Sequence, residues 1–349
     1  MSFPTYQWQP TTAEIAAAAG IPLADVERFD HNTSPTPTSW AVDIVARHAT
    51  QLNEYPAASY ASLRSSVATA KGLEPEQVVP GAGADELILL AARALLPPGG
   101  RAVLTTPTYP LYAIATAQAH SSLASVPAAA PNFDFPADDV ILAARDADVV
   151  WLCVPSNPIG NRPADTHIEA VITATDGTVV IDAAYAEFCN DDWPSWVDRF
   201  HNLLVLHTLS KAYGIAGTRV GYALGHPDLI GAIDAVRPPG SISSLSVDVA
   251  LAALAHPERM RRQVSDIGVG RDDLAARLEG LGLRALPTRT NFVLCEVGAT
   301  AHALQQTLMA DGLVVRKFAA DGPLADYLRF TVRSPSAHDR LIDALKRSL

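Results

Sequence analysis

The chain has 349 residues, 48% of them hydrophobic and 18% charged, with a formal net charge of −11. That length holds more than one ordinary domain and fewer than three, and the composition supplies a large buried core rather than a disordered chain. The acidic balance argues against nucleic acid or a membrane as the main partner, because phosphate-rich surfaces reward clustered Lys and Arg. A local basic pocket for a small anion stays open.

The first thirty residues contain a short Ala-rich helix. Residues 1–31 are expected to form an arm that joins a small domain or a partner subunit. The start, Met-Ser-Phe-Pro, has neither a basic region nor a long apolar core, and no apolar run approaches membrane length. A soluble cytoplasmic protein is therefore expected. Cys153, Cys189 and Cys295 are an odd count without C-x-x-C spacing, so neither a disulfide framework nor a metal site is expected.

From about Gly81 to Leu224, short apolar runs alternate with helical patterns. Strands are predicted at Arg101–Thr105, Val149–Val154, Val179–Asp182, Leu203–His207 and Arg219–Leu224. Helices are predicted at Ala84–Leu96, Pro110–His120, Ala137–Arg145 and Pro163–Thr173. Continuous β-branched or Leu-rich runs suit strands covered on both faces. The alternation predicts an α/β domain over residues 32–239, with a mostly parallel sheet sandwiched by helices. Pro238-Pro239-Gly240 marks a seam. Beyond it, Ser246–Leu281 reads as two long helices joined near His256-Pro257. Strands at Arg284–Leu286, Phe292–Glu296, Val314–Arg316 and Tyr327–Val332, with helices at Ala301–Ala310 and Pro335–Leu345, complete a smaller α+β domain over 240–349.

Gly81-Ala82-Gly83-Ala84-Asp85-Glu86 superficially matches the opening of a dinucleotide fingerprint. Glu86 stands where the third glycine belongs, and no apolar strand of useful length precedes the motif, so NAD is rejected. A glycine-bearing turn at a helix N-terminus still suits a phosphate. Tyr109 offers a ring to a flat cofactor, or serves as an interfacial aromatic. Asn157, between Pro155-Ser156 and Pro158, is either a turn residue or an amide ligand. Asp182 closes an apolar run, with Tyr185 three residues on. Its carboxylate either caps the next helix or holds a pyridine nitrogen protonated. Lys211 lies just past Leu203–Leu206, in Thr208-Leu209-Ser210-Lys211, followed by Arg219. Ligands gather at the carboxyl ends of such strands, where an amine can condense with an aldehyde cofactor and the hydroxyls and guanidinium can hold a phosphate. Taken alone, Lys211 reads as a solvated surface lysine.

The ordered set Asn32-Thr33-Ser34-Pro35, Tyr55-Pro56, Gly83-Ala84-Asp85-Glu86, Pro107-Thr108-Tyr109, Asn157-Pro158, Asp182-Ala183-Ala184-Tyr185, Ser210-Lys211, Arg219 and Arg329 resembles the fold-type I, class I/II aminotransferases, and among them the histidinol-phosphate aminotransferase branch. The resemblance covers nearly the whole chain. It implies pyridoxal 5′-phosphate (PLP) on Lys211, with Asp182 on the ring nitrogen and Asn157 and Tyr185 on the phenolic oxygen. Tyr109 would stack on the ring, and Gly83, Ala84, Asp85, Thr208, Ser210 and Arg219 would hold the phosphate. Tyr55 would reach the neighbouring subunit's cofactor, which implies a homodimer. Arg329, with Arg316 and Asn157, would hold the substrate.

The implied reaction is transamination between L-histidinol phosphate and 2-oxoglutarate, a step of histidine biosynthesis. An aromatic amino acid aminotransferase and a decarboxylase of a phosphorylated amino acid such as threonine phosphate are the alternatives on this scaffold. A transcriptional regulator of the same fold would need an added basic domain, for which this acidic chain has no room before its first motif. The pattern departs from the family at Thr33 (usually Glu), Ile159 (Thr), Ala183 (Glu) and Arg333 (a small residue). Of these, Thr33 and Arg333 lie where substrate is expected.

Overall fold

Strands without a polar face are stable only where both sides of a sheet are covered, and the apolar runs near residues 149–154, 179–182 and 203–207 lie in that position. The computed structural model describes residues 5, 6 and 8–349. Its strands in chain order are β1 (Glu27–Arg28), β2 (Val78–Gly81), β3 (Arg101–Thr106), β4 (Ser122–Pro127), β5 (Val149–Cys153) and β6 (Thr178–Asp182). They continue with β7 (Leu203–Thr208), β8 (Gly221–Gly225), β9 (Arg284–Ala285), β10 (Phe292–Glu296), β11 (Leu313–Val314), β12 (Arg316–Lys317) and β13 (Tyr327–Thr331).

Seven of them form one sheet in the order β2-β8-β7-β6-β5-β3-β4. It is parallel apart from β8, which runs antiparallel to both β2 and β7. Side chains alternate between two cores with the two-residue period of a strand. Val150, Leu152, Val179, Ile181, Leu203 and Val205 pack into one. Val149, Trp151, Cys153, Val180, Leu204 and Leu206 pack into the other, against helices Gly83–Leu95 and Leu111–Gln118.

The C-terminal strands form a second, antiparallel sheet in the order β12-β13-β10-β9. Phe29 joins its core beside Leu274, Leu278, Phe330 and Leu341. The early residues reach it through β1, which pairs in parallel with β11. Helices Ser244–Leu254 and Pro257–Glu279 meet at His256, where Pro257 opens the second. Among the described residues, no helix is long and apolar enough to cross a membrane.

Three local expectations are corrected. A strand, β2, does precede the Gly81–Glu86 motif. Pro80 in its middle conceals it in the sequence, and an edge position makes that proline tolerable. The pair it forms with β8 is antiparallel, unlike the parallel unit that opens a dinucleotide site. β4 carries no strand signal in the sequence because an edge strand reading Ser-Leu-Ala-Ser-Val-Pro is largely exposed. The strand predicted over Val314–Arg316 is two strands in different sheets, β11 and β12, divided at Val315.

Leu204 is fully buried in the centre of the large sheet. Leu204→Ala is expected to cost about 2–5 kcal/mol through lost transfer energy and the cavity left behind. A urea melt checks this: the midpoint falls while the slope stays unchanged.

Candidate active site

The parallel strands end together, and the chain leaves β3, β5, β6 and β7 towards one crevice. A cavity of about 700 Å³ opens there, the size of a small-molecule site at the carboxyl ends of a parallel sheet. Its walls bring together Ala84, Asp85, Tyr109, Asn157, Asp182, Tyr185, Thr208, Ser210, Lys211, Arg219, Arg316 and Arg329. Gly83 opens the helix that carries Ala84 and Asp85. Tyr55 is not part of this cavity; it is 97% exposed.

Asp182 ends β6 at the floor. Its Oδ2 accepts from the Tyr112 hydroxyl at 2.6 Å and its Oδ1 from the Ala184 N–H at 3.1 Å. Burial pushes its pKa up to about 6 against the opposing pull of those two bonds. It does not cap a helix. Tyr185 accepts from Asn32 Nδ2 at 2.9 Å, which leaves its own O–H free to donate. Asn32 sits in left-handed backbone (φ 52°), where asparagine is tolerated, and is pinned by Thr331 and Asn291.

Lys211 follows β7 after a turn in which Thr208 Oγ1 donates to Ser210 Oγ at 2.9 Å. Burial and then the neighbouring charges of Arg329 and Arg219, against Asp85 and Asp182, bring the Lys211 ammonium down to about 8. Arg219 donates to Asp85 at 2.8 Å, and Asp85 also accepts from the Tyr109 hydroxyl at 3.0 Å. Two glycines make this end possible. A Cβ on Gly83 (φ +82°) would stand 2.9 Å from the Arg219 guanidinium. One on Gly221 would stand 2.8 Å from the Gly83 backbone. The helix start at Ala84 and Asp85, the hydroxyls of Thr208 and Ser210 and the Arg219 guanidinium thus line the same cavity, a donor set that suits an anion.

At the other end, Arg329 on β13 and Arg316 on β12 are register partners. Arg329 is buried on an interior strand, not an exposed cation on an edge. It donates to the Asp30 carbonyl at 2.9 Å and to Asn157 Oδ1, while its Nε has no protein partner. Burial first, and Arg316 next among the cations, push its pKa down to about 10. Thr33 lines the cavity; Arg333 does not, being tied to Thr33 at 3.5 Å, the Ser34 carbonyl at 3.4 Å and Glu27 at 3.7 Å.

The sequence reading missed several wall residues. Thr5, Tyr6, Trp8 and Gln9 reach the mouth, with the Tyr6 ring 6.4 Å from that of Tyr109. His31 also lines the cavity, its Nε2 accepting from Arg28. Burial, then Arg28, Lys211 and Arg333 against Asp30, hold its pKa below the usual value. None of these has a readable code. Tyr112, behind the wall, left no signal either: Tyr109 precedes the helix Leu111–Gln118, so the spacing of the two tyrosines does not mark a shared helical face.

PLP needs a carboxylate at its ring nitrogen, an amine at its aldehyde and a cup for its phosphate. Asp182, Lys211 and the Gly83–Arg219 cradle supply these within one cavity, so the residues fit the group.

Residues 25–345 match the family described as aminotransferase class I and II. The chain is 32% identical to histidinol-phosphate aminotransferase 1 of Thiobacillus denitrificans, covering 97% of this chain and 90% of that protein. It is also 32% identical to the histidinol-phosphate aminotransferase of Symbiobacterium thermophilum, covering 94% and 91%. The crystal structure of histidinol-phosphate aminotransferase from Sinorhizobium meliloti in complex with pyridoxal-5′-phosphate superposes with a TM-score of 0.89 at 26% identity, over 98% of this chain and 95% of that one.

An amine with a pKa of about 8 is mostly neutral, and so nucleophilic, above that pH. The rate at which apoprotein captures added PLP, followed by the growth of a visible band, is expected to rise about tenfold per pH unit below about 8 and then level off. Levelling near the ordinary lysine value would contradict the electrostatic reading of Lys211.

Proposed function

The chain belongs to the class I and II aminotransferases and is a PLP-dependent transaminase; on that premise we propose that it moves an amino group from L-histidinol phosphate to 2-oxoglutarate. The observation that carries the donor assignment is the pair Arg316 and Arg329, adjacent across two strands at the cavity wall. Two guanidinium forks suit a phosphate dianion, and the near-full-length relatives bear the corresponding name.

When bound, the cofactor supplies an electron sink for the charge left at the donor Cα. The chain does the rest. Asp182 accepts the hydrogen bond of the ring nitrogen and holds its proton there. Asn157, whose Oδ1 is engaged by Arg329, donates its Nδ2 to the phenolic oxygen alongside the Tyr185 hydroxyl. Tyr109 covers the ring. Gly83, Ala84 and Asp85 offer backbone N–H groups to the phosphate, with Thr208, Ser210 and Arg219. The Lys211 amine would hold the cofactor's aldehyde and, as a base, would move the proton between the donor Cα and C4′.

The chain divides into a cofactor-binding unit (32–239) and a smaller C-terminal unit (240–349), whose first helix, Ser244–Leu254, packs into the core of the large sheet, with the arm over 1–31. Its first four residues and residue 7 lie outside the described residues. The protein works as a cytoplasmic homodimer in histidine biosynthesis. Supporting the dimer, Tyr55 is exposed on the same stretch as the exposed apolar residues Val42, Val45 and Leu52. From there Tyr55 reaches the neighbouring cofactor's phosphate.

Absorbance spectra of the purified protein test the assignment. Histidinol phosphate is expected to convert the visible band to the amine form of the cofactor, and 2-oxoglutarate to restore it. A band that ignores histidinol phosphate sends the donor to aromatic amino acids. Carbon dioxide release from threonine phosphate without an oxo acid would instead mean decarboxylation. Lys211→Ala is expected to lower turnover by about 10²–10⁴-fold or more while the melting temperature holds; retained activity would sink the role of Lys211.

A further inference from the structure

We propose that Tyr112 is a positioning residue for the transamination, holding the Asp182 carboxylate charged and correctly turned so that the cofactor's ring nitrogen keeps its proton.

Asp182 is buried at the floor of the cavity, and an isolated buried carboxylate tends to take up a proton rather than stay ionised. Its ring-nitrogen role fails if that happens, because the proton then sits on the carboxyl and not on the ring. Two hydrogen bonds oppose it, helped by the charge of Lys211. The Ala184 N–H belongs to the strand end and fixes Oδ1. The Tyr112 hydroxyl fixes Oδ2 at 2.6 Å, a charge-assisted length. Burial drives the phenol's own pKa well above its usual value, so it remains a donor and cannot compete as an acid.

Tyr112 is itself locked. Its ring stacks on Trp151 at 5.6 Å and 12°. The Trp151 Nε1–H donates to Thr116 Oγ1 at 3.1 Å, and Thr116 Oγ1 donates to the Tyr112 carbonyl at 2.8 Å. That closed loop joins the helix Leu111–Gln118 to β5, the strand paired with β6 at Cys153–Asp182. The phenol can thus neither swing out nor follow Asp182 if the carboxylate turns.

The inference rests on the cofactor assignment, and the test separates the two. Tyr112→Phe removes one hydroxyl and leaves the ring on Trp151. The expected variant melts close to wild type and binds PLP, with turnover lowered about tenfold and the donor KM changed less than about twofold. If Asp182 takes the ring proton, the ring withdraws less charge from the nitrogen of Lys211. That nitrogen then holds its proton to higher pH, and the pH midpoint of the visible band rises by about half a unit or more.

In an Asp182→Asn background the same change is expected to be nearly silent, since the phenol acts through the carboxylate's charge. Tyr112→Gln, which returns an N–H donor, is expected to recover part of both readouts. It also serves if the phenylalanine variant does not fold. An unmoved midpoint and turnover in Tyr112→Phe, or an equal loss in the Asp182→Asn background, overturns the proposal. A wild-type protein with no visible band after added PLP overturns the cofactor assignment instead.

Discussion

A carboxylate at the closed end of a strand buried on both faces is the constraint around which this molecule is arranged. Asp182 is buried at the floor of the cavity, so its charge depends on the donors its neighbours supply. The sheet order makes this tractable. β5, β6 and β7 are adjacent and parallel, with Cys153 beside Asp182 and Asp182 beside Leu206. Their following loops therefore emerge side by side, and Asn157, Tyr185 and Lys211 meet over one carboxylate without any long loop to order. Placing the groups on strand ends also makes their geometry as rigid as the core beneath them.

The charges above that floor are only partly paired: Arg219 is bonded to Asp85, while Arg329 meets neutral oxygens. After burial, Arg219 and Arg329 both contribute to the depressed pKa of Lys211. Asp85 restrains the first of these, and the same carboxylate takes the Tyr109 phenol. One side chain thus links the ring-covering tyrosine to the phosphate end, so movement at either is felt at the other. Arg329 is restrained by carbonyl oxygens of Asp30 and Asn157, neutral acceptors that fix its direction without cancelling its charge. Its net positive charge remains available to an anionic substrate.

Much of this was legible in the sequence because burial on both faces leaves an unbroken apolar signature. Val149–Cys153, Thr178–Asp182 and Leu203–Thr208 are legible to within a residue of their ends. Asp182 and Thr208 stand out because each is a polar residue that closes its run and cannot belong to the core. β2 was invisible because Pro80 interrupts a strand whose four residues are all buried, and β4 because an exposed edge strand needs little apolar surface. The division at Val315 was illegible because two-residue strands have no periodicity to read. Tyr112 escaped because its meaning lies in a contact 70 residues away. In one dimension it is only the second tyrosine of an ordinary helix start.

The four departures from the family pattern divide once their surroundings are known. Ala183 is fully buried in the core, with its N–H bound to the Leu206 carbonyl. Ile159 packs with Phe133, Leu286, Leu294, Leu324 and Tyr327, an apolar cluster that joins the loop after β5 to the C-terminal sheet. That cluster braces the wall carrying Leu324 against the strands that carry Arg329. Arg333 is spent on Glu27 and the backbone of Ser34, fastening the segment around Thr33 to the end of β13. Only Thr33 touches the cavity directly, and it does so with a neutral hydroxyl where the family pattern has a carboxylate. The positive field at that end of the cavity comes from Arg316 and Arg329, and Thr33 adds no charge to the wall. A substrate with a doubly charged terminal group gains more from that field than one with a single carboxylate.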